Sequence, residues 1–233
     1  EHAIAHARRA GYTRWERELP AWKGTALFYG PTPVEEFLRW QDEQHPQHSM
    51  ALNHRAVIEA YRGRFAPARA LLATADNAAA GRGESLWRVG GAMAEWEVEA
   101  LAGDPVAAER AALRACDWLE ELGETGFRSL AIGQLAWSLH ALGRLEDAER
   151  LTYEAEELAA ADDVISNMLW RQVRARLRAR AGRYSDGEQL AREAVALGKE
   201  TETLNFHASV LADLGNICVL AGKRDEGRRH LAQ

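Results

Sequence analysis

The chain has 233 residues, of which 47% are hydrophobic, 27% are charged and only 6 are proline, so it has the composition of a packed protein rather than a disordered one. Its net charge of −6 argues against nucleic-acid binding by bulk charge, and two cysteines are too few for a disulfide framework, which indicates a reducing, cytoplasmic compartment. No apolar run approaches the roughly 18 residues of a membrane-spanning helix, so we expect no membrane partner. The amino-terminal residues carry neither a methionine nor a signal-peptide pattern, so we expect a fragment of a longer protein.

The spacing of apolar residues and helix breakers predicts helices along the whole chain. Near the amino-terminal end, Gly30 ends one helix, and Thr32 and Pro33 begin the next as N-cap and first helical residue. No segment alternates with period two for long enough to predict a strand. We therefore predict an all-α fold in one domain, residues 1–233. Its six antiparallel helix pairs would span roughly residues 1–44, 49–80, 85–122, 128–160, 164–199 and 204–233.

A glycine recurs at intervals of 39 or 40 residues. The glycines are Gly63, Gly103, Gly143, Gly182 and Gly222. Ala or Gly stands five residues after each of them, and Ala stands twelve after wherever the chain is long enough. Seven residues before them the side chain is also small, except at Trp96. We expect each glycine to end the first helix of a pair in the left-handed conformation, and the small residues to let the paired helices approach closely.

This register resembles the tetratricopeptide (TPR) repeat. The usual TPR period is about 34 residues, so the longer interval here implies longer helices or longer links. The resemblance implies a TPR-like α-solenoid with a right-handed superhelix. Lengthened TPR-like arrays resemble the carboxy-terminal regions of bacterial signalling ATPases, which include LuxR-type transcriptional activators and proteins that join a class III adenylate/guanylate cyclase domain to an AAA-type ATPase.

Several stretches are similar to the helical tails of the cyclase–ATPase proteins in particular. They are GPTPVEE at 30–36, RGRFAPARALL at 62–72, LEELGETGF at 119–127, DDVISNMLWR at 162–171 and LAREAVAL at 190–197. No cyclase or ATPase motif lies within the chain itself. The resemblance therefore implies a regulatory region whose catalytic domains would lie elsewhere in a parent protein.

The sequence offers no set of residues for catalysis or for a cofactor. It has no Gly-x-x-x-x-Gly-Lys-Ser/Thr phosphate loop and no Gly-x-Ser-x-Gly nucleophile elbow. The candidate metal ligands are His2 with His6; His45, His48 and His54; and Cys116 and Cys218. We interpret the first pair as a chance spacing, the three histidines as a solvated polar turn and the cysteines as small core residues. The prediction is a non-enzymatic chain without cofactor or metal.

Six arginines are concentrated within thirteen residues, most of them on one predicted helix. They are Arg171, Arg174, Arg176, Arg178, Arg180 and Arg183. One interpretation is a solvated face with salt bridges to Glu154, Glu156 or Glu157 on the neighbouring helix. The other is a patch that binds an anion or an acidic partner, with nucleic acid a minor alternative because the net charge is negative.

In TPR proteins the first helix of each pair lines the concave surface where ligands bind. We located the corresponding positions in this sequence by counting back from each turn glycine. They give nine candidate lining residues: Asn53, Val57, Met93, Glu97, Trp137, His140, Gln172, Arg176 and Asn216. Trp137 and His140 stand out, because an aromatic ring and a titratable group one turn apart suit recognition. The alternative is that such an aromatic residue belongs to the core.

From these observations we expect a non-catalytic interaction and regulatory arm of a larger cytoplasmic signalling protein. Its partner would be a protein, a peptide or the parent's own ATPase or cyclase domain, or a second copy of the chain bound through exposed end repeats. The alternatives are a small-molecule effector-sensing domain of a LuxR-type activator, a stand-alone adaptor and, least favoured, an enzyme.

Overall fold

The computed structural model describes residues 2, 6, 9–44, 48–81, 83 and 85–232, and for residues 13–18 and 44 it describes the backbone alone. These residues form twelve α-helices and no β-strand, so the all-α prediction is confirmed for the described part of the chain. The helices are α1 (Thr13–Tyr29), α2 (Val34–Gln44), α3 (Ser49–Tyr61), α4 (Phe65–Gly81), α5 (Ser85–Ala102), α6 (Pro105–Glu121), α7 (Arg128–Ala141), α8 (Leu145–Leu158), α9 (Val164–Arg180), α10 (Tyr184–Gly198), α11 (Leu204–Leu220) and α12 (Arg224–Leu231).

The backbone divides into two compact units, Glu1–Val98 and Glu99–Gln233. In the first unit α3 packs against α4, and α1 contacts α2 and α3. In the second unit α7 pairs with α8, α9 with α10 and α11 with α12, while the first helices α7, α9 and α11 pack side by side. The prediction that the chain is a single domain stays a prediction.

The five turn glycines adopt the left-handed conformation predicted for them, with φ between 74° and 84°. The turn at Gly143 shows why this conformation is needed. The N–H of Gly143 donates to the carbonyl of His140 at 3.1 Å, and the N–H of Arg144 donates to the carbonyl of Leu139 at 2.9 Å. These two bonds satisfy carbonyls at the end of α7 and turn the chain into α8.

The small residues in register with the turn glycines are buried. Ala68, Ala108, Ala148, Ala115, Ala155 and Ala194 are all fully buried. At the glycines of the same register even a methyl group would not fit. A Cβ on Gly187 would lie 2.9 Å from the carbonyl oxygen of Ala175, and one on Gly227 would lie 2.6 Å from that of Gly215. In the pairs α9 with α10 and α11 with α12 the helix backbones are therefore in direct contact, as the repeat pattern predicted.

Two of the sequence-level interpretations of polar residues need correction or qualification. His54 does not belong to a solvated turn: it is 6% exposed on the inner side of α3, because its ring packs on aromatic side chains there. His48 begins α3, where its Nδ1 accepts from the N–H of Met50 at 3.3 Å, and His45 lies outside the described residues. Cys218 is buried in the core, as expected, whereas Cys116 is only partly buried.

In the described part of the chain, no helix is both long and apolar enough to span a lipid bilayer.

Candidate functional site

One surface of the second unit brings together chemically diverse side chains from three adjacent first helices. We call it the first-helix face. It consists of Trp137 and His140 on α7, Gln172 and Arg176 on α9, and Ser209 and Asp213 on α11. These helices pack side by side, so residues far apart in sequence meet across the helix contacts.

Arg176 occupies the centre of the first-helix face. Its Nε donates to Oδ2 of Asp213 at 2.7 Å, and the two side chains are 25% and 10% exposed. On the opposite side, the guanidinium carbon lies 5.5 Å from the ring centroid of Trp137, within cation–π range. Arg176 therefore links α7 to α11 across α9, and its planar charged group is held between a carboxylate and an aromatic ring.

A second polar contact runs parallel to the first. Nε2 of Gln172 donates to Oγ of Ser209 at 2.7 Å, again joining α9 to α11. Gln172 is itself 5% exposed. This bond positions the two helices and offers little surface to a ligand.

His140 lies in the last turn of α7 beside the arginines of α9. Burial lowers its pKa, and the positive charges of Arg176 and Arg180 lower it further, while Asp213 acts in the opposite direction. Since an ordinary histidine is already mostly neutral at pH 7, the imidazole here is neutral and can both donate and accept a hydrogen bond. An anionic group brought next to it would raise its pKa again.

The predicted lining residues of the second unit divide into two groups. The first group comes together on the first-helix face and consists of Trp137, His140, Gln172 and Arg176. Of these, Trp137, His140 and Arg176 are half-buried. Asn216 is exposed on α11. Whether any of them contacts a ligand stays a prediction.

The predicted lining residues of the first unit are mostly inside it. Asn53 is 5% exposed and Val57 is 2% exposed, and the latter belongs to the hydrophobic core. Met93 and Glu97 on α5 are half-buried, and a carboxylate oxygen of Glu97 accepts from the hydroxyl of Tyr61 at 2.6 Å. The structure does not collect these four into a polar cluster like that of the second unit.

Sequence reasoning missed Asp213 and Ser209. No local pattern in the sequence identifies them, because their contacts depend on the stagger of neighbouring first helices. Arg176 bonds to Asp213, and Gln172 to Ser209, across 37 residues, whereas the turn glycines repeat at 39 or 40. The contacts are thus offset by about one helical turn from the repeat register, so equal offsets from the glycine do not meet.

The arginines of α9 are largely committed to ion pairs. The pair of Arg174 with Glu156, at 2.7 Å, is one of the three that the sequence suggested. Arg174 is also 7% exposed, with its guanidinium 4.0 Å from the ring of Tyr153 and 4.4 Å from that of Trp170. Other pairs on α9 are Arg171–Glu193 at 3.5 Å and Arg178–Glu149, and Arg183, which precedes α10, pairs with Asp186 at 3.9 Å. Arg180, in contrast, is exposed one turn beyond Arg176.

The sequence matches no family model and no curated protein. The structure is similar to that of a kinesin light chain-like protein of Podospora anserina with nearly identical TPR-like repeats, at a TM-score of 0.50 and 16% identity over 78% of this chain and 90% of that one. A single-substitution variant of that protein gives a TM-score of 0.52 and 17% identity over 81% and 93%. The fold is TPR-like. At this level of identity the likeness concerns the fold alone.

Proposed function

We propose that this chain is a non-catalytic protein-interaction module, and that its first-helix face binds a segment of a partner protein. The observation that carries the proposal is Arg176, held between Asp213 and Trp137 on a surface built from three helices. Ordered side chains of this kind lose little entropy when a ligand binds.

The chemistry of the face favours a partner segment with acidic groups next to apolar ones. Arg180 is exposed at the edge of the face and offers planar donors that match a carboxylate. Half-buried Trp137 offers apolar area and His140 offers a neutral imidazole. Because Asp213 already neutralises Arg176, the net positive charge that a ligand meets comes from Arg180.

A peptide selection tests this proposal with a defined probe. The whole chain is immobilised, short random peptides displayed on phage are selected on it, and the affinities of the selected peptides are measured in solution. We expect Arg180→Glu to lower the affinity for these peptides by about tenfold or more, because it reverses the charge that the partner meets. His140→Ala should also weaken them.

The matched control is Arg150→Glu. Arg150 is on α8, a second helix of the same unit, and its side chain is 66% exposed, so the same charge reversal occurs away from the first-helix face. Affinity should stay within about twofold of wild type for this variant. Peptides that bind Arg180→Glu as tightly as wild type, or a selection that yields no binders, would count against the proposal.

The wider context is part of the same proposal. Five sequence stretches, each similar to the helical tails of cyclase–ATPase proteins, support a role as the regulatory arm of a cytoplasmic signalling ATPase or nucleotide cyclase, with the upstream domains as partners within one chain. The native reading frame before Glu1 tests this. A Walker-type Gly-x-x-x-x-Gly-Lys-Ser/Thr motif upstream would support it, and a start codon within a few residues of Glu1 would contradict it.

The alternative is a small-molecule effector domain of the LuxR type. The close grouping of an imidazole, a guanidinium and an indole on the first-helix face is the observation in its favour. A selection that yields no peptide, combined with a small metabolite retained by the purified chain, would favour this alternative over a protein partner.

A further inference from the structure

A group of possible metal ligands lies between the last two helices, away from the first-helix face. Cys218 comes from α11, and Glu226 and His230 come from α12. One ligand atom from each residue lies within 4.8 Å of the other two. Glu226 and His230 are four residues apart, so they occupy one side of α12.

The close contact of α11 and α12 explains how a short cysteine side chain reaches this group. A Cβ on Gly227 would lie 2.6 Å from the carbonyl oxygen of Gly215 and 2.6 Å from Cγ2 of Val219, so the two helices can lie this close only because Gly227 has no side chain. Glu226 and His230 lie on either side of Gly227 along α12, so this close approach also holds them near the helix that carries Cys218. The sulfur is therefore brought within reach of a carboxylate and an imidazole.

One buried polar atom of this group is not satisfied by the protein alone. Nδ1 of His230 is buried and has no hydrogen-bond partner, and Nε2 lies 3.9 Å from a carboxylate oxygen of Glu226, beyond hydrogen-bond distance. Buried ring nitrogens in folded proteins almost always have a partner. Cys218 is fully buried, while the side chains of Glu226 and His230 are 31% and 18% exposed and leave a path from solvent.

We propose that Cys218, Glu226 and His230 form a binding site for a zinc-type transition-metal ion. Zinc binds thiolate, imidazole and carboxylate ligands, whereas magnesium and calcium bind oxygen ligands and not sulfur or nitrogen. Ligand atoms around tetrahedral zinc are about 3.5 Å apart. The three donors would therefore each move by about an ångström, a shift that side-chain rotation supplies, and a water molecule would take the fourth position.

Neighbouring charges leave the site usable. Arg192 donates to Oε1 of Glu226, which is also the oxygen that lies 3.9 Å from Nε2 of His230. The metal would therefore bind Oε2 after a rotation of the carboxylate, while Arg192 keeps Oε1, and ligating carboxylates are commonly held by such a hydrogen bond. Arg192 and Lys223 both also bind Glu188, the latter at 2.8 Å, which offsets their positive charge. A bound ion would tie α12 to α11, and binding would release the thiol proton, so affinity should rise with pH.

Cobalt titration of the whole chain, under a non-thiol reductant, tests the site. Co²⁺ takes tetrahedral zinc sites, and a Co–thiolate bond produces intense near-ultraviolet absorption that nitrogen and oxygen ligands do not. We expect one Co²⁺ per chain with this absorption, its displacement by Zn²⁺, and a rise in melting temperature with Zn²⁺ that follows mass action.

Three variants distinguish this site from incidental binding. Cys218→Ala should lose the thiolate absorption, and His230→Gln should weaken Co²⁺ binding by at least tenfold. Cys116→Ala is the matched control, since it removes the other cysteine and should leave the titration unchanged. The proposal is overturned if wild type shows no thiolate absorption, if the absorption persists in Cys218→Ala, or if Cys116→Ala removes it.

Discussion

His54 shows how burial changes what a single side chain does in this protein. Its ring stacks on Phe28 with the centroids 4.4 Å apart, and its Nδ1 is buried without a hydrogen-bond partner. Burial, followed by the nearby charge of His48, lowers its pKa from 6.5 to about 3. The folded first unit therefore holds a neutral imidazole in an aromatic environment.

This buried histidine makes the stability of the first unit depend on pH. In the unfolded chain the pKa of His54 is near 6.5, so the unfolded state binds a proton as the pH falls below that value. In the folded state the imidazole stays neutral until the pH falls to about 3. The stability that the neutral His54 contributes is thus fully present above pH 6.5. It is lost as the pH falls, because protonation then stabilises the unfolded state. Between pH 7 and pH 5 we expect a loss on the order of 2 kcal/mol in the free energy of unfolding.

Urea unfolding at the two pH values measures this loss. In His54→Gln the difference between pH 7 and pH 5 should shrink by that amount, because no titrating ring remains. His6→Gln replaces an exposed histidine and should keep the wild-type difference. If His54→Gln and wild type lose equal stability on acidification, the imidazole is protonated inside the folded unit and the argument fails.

The sequence could not reveal the burial of His54. It lies close to other histidines and a glutamine-rich link, a composition typical of a solvated turn. What buries it is its position on α3 relative to Phe28 on α1, a contact between residues 26 positions apart that no local pattern encodes. Asp213 was missed for a similar reason, since its partner lies on another helix.

At the scale of helices, the repeat register could be predicted because it depends on local rules. A left-handed glycine ends a helix, and a small residue five or twelve positions later faces the helix before the turn. The lateral partners of the first helices could not be predicted, because they depend on the stagger between neighbouring helices. The sequence therefore predicts which helices form a pair, and only the structure shows which polar residues meet between neighbouring pairs.

Ala155 tests the register on α8. It is fully buried, and its carbonyl accepts from the hydroxyl of Ser129 on α7 at 2.7 Å, so the two helices are in contact there. Ala155→Leu would force larger atoms into that contact, and we expect a loss of about 1–3 kcal/mol in the free energy of unfolding. Chemical denaturation measures it.

A control for Ala155→Leu is Glu157→Leu on the same helix. Glu157 is exposed, and Leu and Glu have similar helix propensity, so the free energy of unfolding should change by less than about 0.5 kcal/mol. Equal stability of Ala155→Leu and wild type would show that α7 and α8 do not touch at this residue.

At the scale of the whole molecule, the contacts are mainly between helices near in sequence. In the second unit α7 packs on α8, α9 on α10 and α11 on α12, and each of the first two pairs also contacts the first helix of the next pair. Stability in such an array is approximately a sum of helix-pair terms and nearest-neighbour interface terms. A destabilising substitution should therefore lower the stability of its own helix pair and of the neighbouring pair, and leave more distant helices unchanged.

Gly227→Ala tests this limited spread, because its added methyl group would overlap the backbone of α11 and push α12 away. Native-state hydrogen exchange should show loss of amide protection in α11 and α12, a smaller loss in α9 and α10, and wild-type protection in α7 and α8. The gradient follows from nearest-neighbour coupling, since α11 contacts α9 and α10, whereas α7 reaches it only through α9. Equal loss of protection in all these helices would instead mean that the second unit unfolds as one cooperative body, and its stability could then not be divided into repeat terms.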